Sequence, residues 1–335
     1  MRALVVCPGR GSYSRDTLGS LRGTPSVRAA DAYRSSVGRP TPTEMDAAPW
    51  SSRLHLAGEN ASILTFAATM QDADALREAT HVSMCCVIGN SMGWYTALAV
   101  AGALPMRDAL RLVETMGQYQ VDNVVGGQLV YPLVDDAWRP VPSPELDDAL
   151  REVPGLYVSI RLGGQVVLGG TAEALAEAQR RLPPRKAGER DAPFLLPLHS
   201  AFHTPLMAAT AARARDALHD LDWRAPAVPM VDGRGAVLRP RHADPDAVRS
   251  WTLGAQVTEP YDFTAALRVA LREYAPDAII LLGPGGNLGG AIGQTLAAEG
   301  WAGVRGRADF ARIQGEAPLL LSMARDDQRR RALGT

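Results

Sequence analysis

Cysteine is scarce in this chain of 335 residues, which has only Cys7, Cys85 and Cys86. An odd number, with two of the three adjacent inside an apolar run, excludes a disulfide framework and fits a reducing compartment. No Cys/His cluster has zinc spacing, so no metal is expected. Long apolar runs are lacking too, which excludes a bilayer-spanning segment in this sequence. The stretch "MRALVVCPGRGS" is too short in its apolar part, and too soon broken by Pro and Gly, to read as a signal peptide; a cytoplasmic location is expected. An excess of one charge is also missing, with 35 Lys and Arg against 36 Asp and Glu. General nucleic-acid binding therefore has no electrostatic basis. What is present is 46% apolar and 21% charged residues, the composition of a globular protein with a sizeable core. The length suits one large domain, or a large domain carrying a small one.

Along the chain, "ALVVC" (3–7) and "CCVIG" (85–89) read as short buried strands, each followed by a glycine-containing turn. Residues 61–79 and "RDALRLVETMGQYQ" have helical apolar spacing, and "MGWYTALAVAGAL" reads as a helix stopped near Gly102. After Val121 the texture changes. "GGQLVYPLVDD", "GLYVSIRLGGQVVLGG" and "FLLPLHS" read as strands, with "PELDDALREV" and "TAEALAEAQRRL" as amphipathic helices between them. This strand–helix–strand–strand–helix–strand order predicts a ferredoxin-like split βαβ unit. "PPRKAGERDAP" (183–193) reads as a loop. "DAIILLGPGGNLGG" supplies one more buried strand and a glycine-rich turn.

The stretch "GNSMG" carries the clearest chemistry. A Ser on a sharp strand-to-helix turn has its Oγ lifted out of the sheet, and the next N–H, from Met92, points where a carbonyl oxygen becomes an oxyanion. Gly89 and Gly93 keep side chains out of the turn. Ser91 is thus either a nucleophile or a helix N-cap. As a nucleophile it needs a base, usually His; His199 and His203 lie together in "PLHSAFHTPLM".

Six stretches in order, spanning residues 3–290, resemble the malonyl-CoA:acyl-carrier-protein transacylase family and the related acyltransferase domains of polyketide synthases. They are "CPGRGSYS", "GNSMGWYTALAVAGAL", "GGQVVLGGTAEALAEAQ", "LPLHSAFHTPLM", "GAQVTEPYDF" and "LLGPGGNLGG". The resemblance implies an α/β fold: an α/β-hydrolase-like large subdomain (1–121 and 198–335) with an inserted ferredoxin-like small subdomain (122–197). It implies Ser91 as nucleophile, His203 as base, the backbone carbonyl of Gln256 as orienter of the imidazole, and the backbone N–H groups of Arg10 and Met92 as oxyanion hole. The reaction implied is ping-pong thioester transfer with no bound cofactor, from and to phosphopantetheine-linked substrates on an acyl carrier protein or coenzyme A, in polyketide-type biosynthesis. A monomer is expected.

The departures from the family pattern bear on the substrate. Where the family carries a carboxylate-binding Arg, "LVETMG" has Met116, which offers no charge. An uncharged acyl group, such as a starter or aminoacyl group, is therefore expected to move between carrier proteins. The remaining expected pocket residues are Asn90, Phe202 and Arg161, the last a cation that could restore a carboxylate partner but is expected rather to face solvent or an acidic carrier protein. Trp94 also departs from the pattern, as do Arg10 and Tyr13, which stand where the family loop has glutamines. A carrier protein presents acidic helices, so Arg151, Arg180, Arg181, Arg185, Lys186, Arg305 and Arg307, together with Met207, are candidate docking residues. The competing readings are an editing acyl hydrolase, a malonyl-CoA transacylase, a non-catalytic carrier-binding module, and a serine esterase with Asp135 or Asp136 as its acid.

Overall fold

The computed structural model describes residues 1–122 and 124–335. Its strands are β1 (Arg2–Cys7), β2 (Ser83–Gly89), β3 (Gly127–Pro132), β4 (Leu156–Leu162), β5 (Gln165–Gly170), β6 (Arg185–Ala187), β7 (Arg190–Ala192), β8 (Phe194–Leu195), β9 (Met230–Val231), β10 (Val237–Leu238), β11 (Tyr261–Asp262), β12 (Ala278–Leu281) and β13 (Leu320–Ser322). The main sheet runs β10-β9-β2-β1-β12-β13. Its central pairs are parallel, as continuous apolar runs such as "ALVVC" predict for strands buried on both faces.

This order decides where chemistry is placed. β2, β1 and β12 are neighbours, so the turns after Cys7, Gly89 and Leu281 gather at one carboxyl edge of the sheet, the position where open α/β sheets bind ligands. Beneath them lies the helix Gly58–Glu78, buried along most of its length, so it is a core helix and not an amphipathic surface one. It packs closely against the helix Met106–Asp122: a Cβ on Gly58 would stand 2.9 Å from the Gly117 carbonyl oxygen.

The second sheet has the order β11-β4-β5-β3-β8, antiparallel through β4, β5, β3 and β8. With the helices Pro144–Glu152 and Ala172–Arg181 this is the ferredoxin-like arrangement expected, extended at one edge by β11. Its strands alternate. Leu129, Tyr131, Val166 and Leu168 face the two helices and form a core of their own, while Val130, Ile160 and Val167 join the large core. Position 123, near the start of the expected small subdomain, lies outside the described residues.

Two expectations need correction. Residues 183–193 are not all loop, since β6 and β7 form a hairpin there. Of "FLLPLHS" only Phe194 and Leu195 pair as strand; Pro197 has no N–H to give the ladder. Among the described residues no helix is long and apolar enough to cross a membrane, and all three cysteines are free.

Candidate active site

Ser91 follows β2 with φ 54°, a left-handed conformation uncommon for a residue with a side chain. The turn is held in that shape by what the glycines omit. A Cβ on Gly89 would stand 2.3 Å from the Gly93 carbonyl carbon, and one on Gly93 would stand 2.2 Å from the Cys7 carbonyl oxygen. Ser91 is not the cap of the following helix. Met92 occupies the N-cap position without a side-chain hydrogen bond, and Ser91 Oγ turns instead to His203 Nε2, 2.8 Å away.

His203 is buried, and its Nδ1 stands 2.5 Å from the carbonyl oxygen of Gln256. Nδ1 therefore donates to that carbonyl, which leaves Nε2 as the acceptor facing the serine. Burial drives the imidazole down to about 4, opposed by the Gln256 carbonyl, so His203 is neutral across the physiological range. Gln256 also fixes the nucleophile: its Nε2 donates to the Ser91 carbonyl at 3.2 Å, and its Oε1 accepts from Tyr95 Oη at 2.9 Å. Tyr261 Oη donates to the Gly89 carbonyl at 2.6 Å and packs its ring beside His203. Tyr95 and Tyr261 carry no motif that singles them out in sequence. No carboxylate reaches His203 among the described residues, and Asp135 is engaged with Arg139, so the esterase arrangement is absent from them.

Among the described residues, the backbone N–H groups of Arg10 and Met92 have no hydrogen-bond acceptor. The loop bearing Arg10 is braced by the glycine-rich turn after β12. Asn287 Nδ2 donates to the Gly11 carbonyl at 2.8 Å, and a Cβ on Gly285 would stand 2.5 Å from the Ser12 carbonyl oxygen. The two glycine motifs, far apart in sequence, thus form one support.

Ser91 and His203 open into a cavity of about 630 Å³ between the two sheets, bordered by Asn90, Met92, Met116, Phe202 and Gln256. Val130, Ile160, Leu162 and Val167 supply its wall from the small sheet. Met116 is 2% exposed. Arg161 does not border the cavity: its side chain is 58% exposed and stands 3.8 Å from Asp262. The reason is strand parity, because Ile160 and Leu162 on either side of it face the cavity. A different cation is there, one that the sequence marks as a departure in this region and as a backbone donor but gives no side-chain role. The side chain of Arg10 borders the cavity and its Nη2 donates to the Leu198 carbonyl. His199 lines the same wall, and burial and the Arg10 charge hold it down to about 3. At another point of the lining is Arg190, its guanidinium over the Phe194 ring.

Of the candidate docking residues, Met207 is 0% exposed and cannot meet a partner; it is a core residue at the start of a helix. Arg185 is used internally, bonded to Ser143 and the Pro132 and Pro142 carbonyls. Arg151, Arg180, Arg181 and Lys186 are already paired with Asp148, Glu177, Glu152 and Asp191. Arg305 and Arg307 lie at the surface. No cluster of metal-ligating side chains occurs among the described residues.

No family model matches the chain. It is 27% identical over 210 residues to malonyl CoA-acyl carrier protein transacylase of Bacillus subtilis, an alignment covering 61% of this chain and 62% of that protein. It is 32% identical over 147 residues to the Salmonella typhimurium protein of the same name, covering 43% and 46%. The chain thus matches less than two thirds of the length of these relatives. It is also 28% identical over 209 residues to polyketide synthase GfsB of Streptomyces halstedii, covering 60% of this chain and 3% of that protein. Among solved structures, a malonyl-transacylase in complex with a type II polyketide-synthase acyl-carrier protein superposes with TM-score 0.77 at 19% identity, over 100% of this chain and 99% of that one. The chain is thus similar in sequence to malonyl CoA-acyl carrier protein transacylases and to a polyketide synthase, and it shares the fold of a solved malonyl-transacylase.

Proposed function

We propose that the chain is an acyltransferase that carries an acyl group from a phosphopantetheine-linked thioester to the thiol of an acyl carrier protein through a Ser91 ester. The observation that carries this reading is the unbroken hydrogen-bonded line from Ser91 Oγ through His203 to the Gln256 carbonyl. In the first half-reaction Ser91 Oγ attacks the thioester carbonyl while His203 Nε2 takes its proton. The backbone N–H groups of Arg10 and Met92, free of other acceptors, stabilise the oxyanion. Collapse breaks the C–S bond, and the proton on His203 goes to the departing thiolate. In the second half-reaction a carrier thiol gives its proton to His203 and attacks the ester; collapse breaks the C–O bond, and Ser91 Oγ leaves with the proton from His203. The Gln256 carbonyl stabilises the imidazolium at each stage without itself taking a proton.

The names of the relatives support transfer to an acyl carrier protein. The carrier is expected to dock with the pantetheine arm threaded into the cavity between the subdomains; Arg305 and Arg307, which form no ion pair among the described residues, are the remaining candidates among the proposed surface cations. The expectation of an uncharged acyl end rested on Met116 standing where the family has its Arg, and it fails if another cation reaches the cavity. Met116 and Phe202 do present apolar surface, but Arg10 brings a cation to the same cavity.

Intact-mass measurement after mixing with acyl-CoA and acyl-carrier-protein thioesters tests the reading. A covalent adduct that is absent in Ser91→Ala and discharged onto a holo carrier protein supports it. Release of free acid at a rate that the carrier thiol does not alter makes the chain a hydrolase instead.

A further inference from the structure

The cavity holds a cation in an unusual state. Nε and Nη1 of Arg10 are buried without a hydrogen-bond partner among the described residues, and only Nη2 is engaged, by the Leu198 carbonyl. No carboxylate forms an ion pair with this guanidinium among the described residues. The charge that most supports it is Glu59, whose own Oε2 is also buried without a partner. Desolvation lowers the guanidinium to about 10. Leaving a guanidinium buried with unspent donors is costly, and chains avoid it unless something completes the set.

Its place is informative. A Cβ on Gly58 would stand 3.2 Å from Arg10 Nη1 and 2.9 Å from the Gly117 carbonyl oxygen. Nη1 is therefore close to the helix Met106–Asp122 at the turn that bears Met116. Met116 supplies no charge there; the loop after β1 supplies one from the other side.

Building on the acyl-transfer reading, we infer that the Arg10 side chain holds the far end of the acyl group, and that this end is a carboxylate on a short chain. A carboxylate accepts from the guanidinium fork bidentately and neutralises it. A free ammonium at the end of the acyl group would instead set a second cation beside the first. The chain length follows from connectivity. The N–H proposed to hold the oxyanion and the guanidinium proposed to hold the carboxylate belong to the same residue, so the two ends of the acyl group lie one arginine side chain apart. Short dicarboxylic acyl thioesters meet that limit, and long fatty acyl groups do not.

The test compares initial rates of Ser91 acylation by malonyl-CoA and succinyl-CoA with those by acetyl-CoA and butyryl-CoA, by intact mass. It uses the wild type, Arg10→Met, and Arg10→Met/Met116→Arg. Substitution at position 10 keeps the backbone N–H, and thermal melting reports whether each variant is folded. The wild type is expected to favour the carboxylated thioesters. In Arg10→Met the ratio of carboxylated to uncharged rates falls about 100-fold, the scale for deleting one partner of a buried charged pair. Met116→Arg in that background, which returns a guanidinium from the helix, raises the ratio again. A wild-type preference for uncharged thioesters, or a ratio unmoved by Arg10→Met in a folded protein, overturns the inference and leaves acyl transfer standing. No acylation of wild-type Ser91 by any of the four, nor by aminoacyl or long-chain thioesters, overturns acyl transfer itself and this inference with it.

Discussion

Ser91 and His203 both hold left-handed backbone conformations, φ 54° and 63°, and their side chains meet at 2.8 Å. Neither is glycine, so each conformation costs on the order of 1–3 kcal/mol. The surrounding hydrogen bonds impose it: Tyr261 holds Gly89, Gln256 holds the Ser91 carbonyl, and the His203 N–H donates to the Val257 carbonyl at 2.8 Å. Stability is spent to bring one hydroxyl to one imidazole, a pattern of functional sites.

Substitutions at position 91 separate strain from chemistry. Ser91→Ala keeps the strained backbone and removes the nucleophile. Ser91→Gly removes both. Acylation is expected to vanish in each, while Ser91→Gly melts higher than Ser91→Ala by the equivalent of about 1 kcal/mol. His203→Ala leaves the nucleophile without its base and lowers the acylation rate by about 10² to 10⁴. Equal melting temperatures for the two Ser91 variants would show that the turn is relaxed.

Gly93 brings the elbow helix close against the end of β1. A Cβ there would meet the Cys7 carbonyl oxygen at 2.2 Å and the Pro8 carbonyl oxygen at 2.6 Å, backbone atoms that lead directly into the Arg10 loop. Gly93→Ala is expected to destabilise the chain by more than about 4 kcal/mol. Gly290, in the helix Gly289–Glu299, has no atom near its would-be Cβ, and Gly290→Ala is expected to stabilise by about 0.5–1 kcal/mol. Urea unfolding of the two variants gives opposite signs if the contact at the elbow is as tight as described.

The elbow was legible in the sequence because its causes are local. A β-branched run, two glycines and a serine within a few positions dictate strand, turn and approach distance. The ferredoxin-like sheet was legible from alternation, since Leu129, Val130 and Tyr131 alternate between its two faces. Arg161 was open to two readings, pocket or solvent, and parity decides for solvent, because Ile160 and Leu162 on either side face the cavity. Met207 was misread because an apolar residue at a loop-to-helix junction can face either way, and only packing decides. The Arg10 side chain was legible as a departure from the family loop, but its place in the cavity was not. Its motif concerns a backbone N–H, whereas where its long side chain goes depends on the space left by Gly58 and on the Leu198 carbonyl, each distant in sequence.

The helix that carries Met116 is pinned by a buried charge cluster two residues away. Glu114 accepts from Arg34 Nη1 at 2.8 Å and from Arg39 at 2.7 Å, and Arg34 Nη2 reaches Asn60 at 2.6 Å. Arg34 is buried. Glu114→Ala removes the anion and leaves that guanidinium uncompensated, an expected loss of about 3–5 kcal/mol. Replacing Arg34 and Glu114 together by Met and Leu is expected to cost less than Glu114→Ala alone, since the fully buried guanidinium goes with its partner and the cation left behind, Arg39, has a side chain 33% exposed and open to water. Denaturant midpoints of the single and double variants check the order.

The depressed His203 sets the acid limit of the reaction. The base works as neutral imidazole, and burial, opposed by the Gln256 carbonyl, puts its folded value at about 4. Acylation is therefore expected to stay level from neutral pH down to about pH 5 and to fall tenfold per unit only below about pH 4. An unshifted histidine would begin to fall near pH 6.5. Stability follows a different course. The unfolded imidazole takes its proton near pH 6.5 and the folded one only near 4. The stabilisation is thus complete above the unfolded value, declines between the two, and is lost as the folded value is passed. His199, held down to about 3, adds to the same loss. The melting temperature should drop between pH 6.5 and 4 while short-pulse acylation at 10 °C remains level over the upper part of that window. An acylation limb centred near 6.5 would mean that His203 is open to water in the working enzyme and that the closed, dry dyad is not the form that reacts.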